Sequence, residues 1–152
     1  GFKYAGLGLD TIVASFSVQE GAEVFALKLG LTVLTLSAGF RGGEVTPLFF
    51  IGATLGSALS LVVPLPVGLL AGVGFVAVFS GATNSPIACT LMGLELFSGG
   101  VLSFSLFIFL ALGCFVSYYI SGHTGIYTSQ IIGRAKYNFF SKLKGKRLFD
   151  VM

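Results

Sequence analysis

Between Pro47 and Gly133 the chain carries one formally charged residue, Glu95. A fold exposed to water cannot leave so long a stretch nearly uncharged, because soluble domains carry roughly a quarter charged residues. This chain carries 10% and is 55% hydrophobic, with a mean hydropathy of +0.95. The composition predicts an all-α integral membrane protein, since a helix satisfies its own backbone polar groups in lipid. No residue pattern suggests a soluble second domain. Six of the nine basic residues, Arg134, Lys136, Lys142, Lys144, Lys146 and Arg147, lie in the last stretch. The reading is therefore residues 1–133 in the membrane and residues 134–152 as a basic, solvated cytoplasmic tail by the positive-inside rule, with no nucleic-acid partner. The chain opens on Gly1 without a methionine or a charged leader, which suggests a piece of something longer.

The apolar segments are unequal. Residues 1–19 are glycine-rich and read as a loop or a helix end. Glu20–Ser37 predicts a helix whose interior Lys28 either snorkels or, the favoured reading, pairs within the bundle. Leu48–Val63 predicts a second, ended by Pro64-Leu65-Pro66. Val67–Phe79 and Ile87–Phe97 are shorter than the roughly 20 residues a span requires. Between them lies the polar break Ser80-Gly81-Ala82-Thr83-Asn84-Ser85-Pro86. Short, interrupted segments are the trace of transporters with broken helices and inverted repeats. Val101–Ile120 is the cleanest span, and a helix after Tyr127 would run into the basic tail. Gly52 with Gly56, and Gly68 with Gly72, form small faces that let helices approach closely.

The candidate chemistry sits at Ala38–Gly56, AGFRGGEVTPLFFIGATLG. Thr46 is a good N-cap and Pro47 suits the first helical position. The backbone N–H groups around Glu44, Val45 and Thr46 would then stand free at the positive end of a helix dipole, which makes an anion site. Ser85-Pro86 repeats the same grammar.

These residues carry a resemblance. G-G-E-V-T-P followed by L-F-F-I-G-A-T-L-G resembles the G-x-F-x-P ion-binding segment of the CLC chloride channels and anion/proton antiporters. Glu44 and Thr46, where chloride members usually carry apolar residues, resemble the fluoride/proton antiporter branch. Asn84-Ser85-Pro86 through Glu95 looks like the family's A-P-x-x-x-x-x-x-x-x-E helix. Gly122–Tyr127 resembles its G-x-x-P-x-Y turn, with Gly125 in place of the proline. The resemblance covers the second half of the family's membrane domain. The first half's G-S-G-I-P-like and G-R-E-G-P-like motifs are absent, and the gating glutamate belongs there.

Each candidate has a plainer reading beside the functional one. Glu44 is either a helix-start carboxylate or a proton carrier, since burial and a neighbouring anion both favour a neutral carboxyl. Thr46 caps the helix, and its hydroxyl also suits donation to a small anion. Tyr127 is an interfacial aromatic or, by the resemblance, a neutral phenolic anion donor. Glu95 reads as a structural hydrogen-bonding residue, His123 as a turn residue, and Cys89 and Cys114 as packing residues. No metal-ligand cluster, cofactor loop or nucleophile–base pair is present, so no metal, cofactor or enzymatic activity is expected.

The resemblance implies a fluoride/proton antiporter, homodimeric, in a bacterial plasma membrane. Fluoride would be held by Glu44, Val45, Thr46 and Tyr127, with Glu44 coupling protons. It further implies lipid and the N-terminal half of the same membrane domain as partners. The alternative is a chloride channel or chloride/proton exchanger of the same family. A non-transporting membrane anchor is the other class, and it needs neither proline-started helices nor a polar break.

Overall fold

The computed structural model describes Tyr4, residues 6–40, 42–99, 103–123, 125–127 and 129–131, and Lys136. Those residues form six helices: α1 (Leu9–Ala14), α2 (Ala22–Ser37), α3 (Val45–Leu59), α4 (Val67–Thr83), α5 (Pro86–Phe97) and α6 (Phe104–Ile120). None is long and apolar enough to cross a membrane. At 1.5 Å per residue, helices of 12–17 residues reach roughly 18–26 Å, short of the ~30 Å hydrocarbon core.

α4 is the central element. It packs on α3, α5 and α6, while α1 and α2 cover the other side of α3. Two apolar clusters result. Ile12, Val24, Phe50 and Ala53 join α1, α2 and α3. Val76, Cys89, Leu110 and Cys114 join α4, α5 and α6. Phe75 connects them, stacked on Phe49 at 4.1 Å and edge-on to Phe97 at 5.8 Å. Both cysteines are buried packing residues, as their apolar surroundings in the sequence suggested.

Glycine governs the α3–α4 crossing. A Cβ on Gly52 would lie 2.5 Å from the Gly74 carbonyl oxygen, and one on Gly56 would collide with the Leu70 carbonyl. The Gly52/Gly56 face therefore allows backbone contact, as small faces do in membranes. Its partner is Gly74. Gly68 and Gly72 instead face the Phe16 carbonyl and the Phe97 ring, so they form no helix–helix seam of their own.

Several sequence boundaries shift. α4 does not stop at Phe79 but continues to Thr83, because its small polar residues are satisfied without breaking the helix. The Thr83 hydroxyl donates to the Phe79 carbonyl at 2.8 Å, and the Ser80 hydroxyl to the Cys114 carbonyl at 3.0 Å. The break shrinks to Asn84-Ser85, where Asn84 adopts φ 56°. Asparagine tolerates this left-handed cap. Pro86 then opens α5 at its first position, with Ser85 as N-cap, as expected. α6 begins at Phe104, and Val101 lies outside the described residues. Residues 125–127 and 129–131 form no helix; the rest of the expected C-terminal helix and the tail, Lys136 excepted, lie outside the described residues.

Lys28 is buried, and among the described residues no carboxylate meets it. Its ammonium donates to the Tyr4 carbonyl at 3.0 Å and the Gly6 carbonyl at 2.8 Å, and lies 5.0 Å from the Phe50 ring centre. The pairing expected within the bundle is thus to backbone oxygens, which ties the chain's start to α2. Lys28→Met would leave both carbonyls without this donor. The loss is expected to cost about 1–3 kcal/mol, read as a fall in the thermal midpoint of the detergent-solubilised protein. An unchanged midpoint would show that water or lipid replaces the ammonium.

The outer faces are apolar. Leu27, Leu31, Val33 and Leu34 of α2, and Phe104, Leu112, Val116 and Ile120 of α6, are all exposed. Such extended apolar surface suits lipid or further protein, not water. Glu95 also lies exposed on α5, and no hydrogen bond engages its side chain. The structural hydrogen-bonding role read for it is not seen among the described residues.

Candidate anion site

α3 starts two residues earlier than its threonine and proline suggest. Glu44 is the N-cap, with φ −77° and ψ −17°, and no side-chain cap bond closes the start. The first intrahelical donor is Leu48, whose N–H reaches the Glu44 carbonyl at 3.3 Å. Thr46 and Pro47 occupy the second and third helical positions. Proline is tolerated there because none of the first N–H groups has an intrahelical acceptor. The Val45 and Thr46 N–H groups thus point out of the helix start, where the dipole favours an anion. The Thr46 hydroxyl is not committed to capping, so it remains available as a donor.

Glu44 lines a cleft of about 410 Å³ with Lys28, Thr32, Thr35, Gly43 and Pro47. Val45 and Glu44 are open to the surroundings, Val45 exposed and Glu44 and Thr46 partly buried. Tyr127 lies elsewhere. It is half exposed and lines a smaller cleft of about 210 Å³ at the start of α5, with Thr83, Ser85 and Cys89. Its neighbours Gly125 and Ile126 line a third cleft with Leu48, one turn into α3. The loop carrying Tyr127 therefore sits between the two proline-marked helix starts. Its phenol faces α5, and the cleft that Glu44 lines does not include it.

Two residues that sequence reasoning passed over hold this loop. Asn84 spans from α4 toward His123, its amide N–H 3.5 Å from the His123 carbonyl. Lys136, grouped by sequence with the solvated tail, is partly buried instead and 2.6 Å from the Asn84 Oδ1. Burial pulls the Lys136 ammonium down to about 8, so it remains cationic at neutral pH. Burial, and then the Lys136 charge, also hold His123 below its ordinary value. A neutral imidazole agrees with its Nε2 accepting the Lys136 backbone N–H at 2.9 Å. The sequence signal was Asn84 ahead of Ser-Pro, a cap residue at a break. Nothing in the pattern marked Lys136. No group of metal-ligating side chains occurs among the described residues.

Short helices with apolar outer faces place the described residues in the all-helical class. The profile of the voltage gated chloride channel family matches residues 3–122, and the chain belongs to that family. It is 48% identical over 136 residues to a "Chloride/fluoride channel protein" of Pseudomonas syringae pv. tomato, which covers 90% of this chain and 29% of the relative. A relative in Ralstonia nicotianae, whose name is that of a ClcB-like chloride channel protein, is 32% identical across 70% of this chain and 26% of its own length. Among solved structures, that of a CLC-type fluoride/proton antiporter superposes with a TM-score of 0.70 at 43% identity. That match covers 78% of this chain and 29% of the antiporter chain. The chain spans less than a third of the length of the relatives it matches.

Proposed function

We propose that this chain is the C-terminal half of the membrane domain of an anion/proton antiporter that exports fluoride against proton import. The observation that carries the reading is the start of α3. There Glu44, the Val45 and Thr46 N–H groups and the uncommitted Thr46 hydroxyl converge on one helix terminus. Fluoride is small and strongly hydrated, so a selective site must replace its water with several closely spaced donors. Two amides and a hydroxyl supply them, and the Tyr127 phenol adds a neutral donor when the two helix starts close on the anion. In this reading Glu44 is the residue that couples proton movement to the anion.

The same reading makes this chain one of two inverted repeats, with re-entrant helices meeting near the bilayer midplane. The functional unit is a homodimer in the bacterial plasma membrane, with residues 134–152 on the cytoplasmic side. The names of the Pseudomonas relative and of the solved antiporter both include fluoride, which supports it. Chloride transport is the second reading, favoured by the Ralstonia relative's name. Fluoride and chloride electrodes placed together on liposomes holding the full-length protein separate them. Fluoride efflux well above chloride efflux is expected, and equal rates would select the chloride reading.

Tyr127→Phe is expected to weaken fluoride binding by up to roughly tenfold, since one neutral hydrogen bond contributes about 0.5–1.5 kcal/mol. Titration calorimetry of the full-length protein checks this. An unchanged affinity would make Tyr127 a packing residue of the α5 cleft.

A further inference from the structure

The loop that carries Tyr127 is closed at its base by one side chain. The Lys136 ammonium donates to the carbonyls of Tyr118 and Gly122 at the C-terminal end of α6. It also reaches the Asn84 Oδ1 at 2.6 Å, and lies 3.8 Å from the centre of the Tyr118 ring. A cation at a helix C-terminus meets the negative end of the dipole and the carbonyls left without intrahelical donors. The backbone of the same residue donates to His123, so positions 123 and 136 are held together.

The loop is fixed to α4 as well. The Ile126 N–H donates to the Ala82 carbonyl at 2.9 Å, directly before Tyr127. A Cβ at Gly125 would stand 2.8 Å from both the Ala82 carbonyl oxygen and the Asn84 Nδ2, so the backbone there lies flush against the end of α4. Asn84 thus serves both attachments, its oxygen meeting Lys136 and its amide nitrogen facing the loop. Its left-handed backbone turns the side chain out of α4 at the point where helix gives way to α5.

We propose that Lys136, acting through Asn84, is a positioning residue that holds the Tyr127 loop against the ends of α4 and α6. It touches neither the anion nor Glu44 and works by fixing where the phenol stands. Any effect on transport rests on the reading of Tyr127 as an anion donor; the effect on the loop does not. Removing the ammonium frees the base of the loop and leaves the Tyr118 and Gly122 carbonyls and the Asn84 oxygen without this donor.

The test separates the two. Tyr127→Cys in the full-length protein reports loop position through its rate of reaction with a water-soluble maleimide, with Cys89 and Cys114 alone as the background. Adding Lys136→Met should speed the labelling about tenfold, the effect of losing a charged hydrogen bond. Lys136→Arg, which keeps a cation and donors, should restore most of the slow rate. With Tyr127 intact, Lys136→Met should raise the half-saturating fluoride concentration several-fold while turnover at saturation changes little. Where Lys136→Met does not fold, Asn84→Gly keeps the left-handed backbone, removes only the bridge, and should also speed labelling. Folded Lys136→Met or Asn84→Gly protein with unchanged labelling overturns the proposal. Faster labelling with unchanged half-saturation upholds the loop attachment and removes Tyr127 from the anion site.

Discussion

Glu44→Gln in the full-length protein is expected to abolish fluoride-driven proton movement while leaving the fold intact. The Glu44 side chain makes no cap bond at the start of α3, so its structural contribution is limited to the helix dipole. That contribution is about 0.3–1 kcal/mol at an exposed site, too little to unfold a membrane bundle. Glutamine keeps the shape and offers a donor, but it cannot gain or lose a proton. If anion arrival and proton uptake are linked through this carboxyl, the substitution cuts the link and leaves the neighbouring amides in place. Fluoride would then leak passively or stop, and in neither case would protons follow it. Coupling retained at the wild-type level would reduce Glu44 to a helix-start carboxylate.

The second large effect is structural. Gly52→Leu is expected to prevent the full-length protein from assembling as a monodisperse species. The space a side chain would need at this position is occupied by the Gly74 carbonyl and the Phe75 Cα, both backbone. Neither can turn aside as a side chain would. Overpacking in a tight core costs typically 1–3 kcal/mol and occasionally more. Here relief requires α3 and α4 to separate, which also unstacks Phe49 from Phe75. Gly30→Ala in α2 is the control. Nothing lies within 4 Å of a Cβ there, and alanine is favoured over glycine in a helix by about 1 kcal/mol. Size-exclusion profiles of the two variants should differ sharply; matching profiles would mean that the α3–α4 crossing is looser than it looks.

The sequence was most informative where a single residue type has few conformational options. Pro86 at the first position of α5 was legible because proline's fixed φ and missing N–H suit that place. The same argument misplaced Thr46-Pro47 by two positions. A first turn has several positions without an intrahelical acceptor, and proline fits more than one of them. The polar run from Ser80 read as a break because small hydroxyl residues are common in turns. In α4 they bond back along the helix or across to α6, and only Asn84 and Ser85 leave the helical conformation. The glycine faces were visible but their partner was not, since small residues mark close approach without saying what approaches. Lys28 and Lys136 were the least legible. Their partners are mostly backbone carbonyls distant in sequence, and carbonyls carry no sequence signature.

The most direct measurement imposes a proton gradient on liposomes that hold the full-length protein with equal fluoride inside and outside. The proton and fluoride signals are recorded together. If this chain contributes the anion site of a fluoride/proton antiporter, fluoride moves uphill, opposite to the protons, and Glu44→Gln abolishes the movement. Fluoride that stays at equilibrium while protons are driven through the membrane, or chloride moved as readily as fluoride, would contradict it.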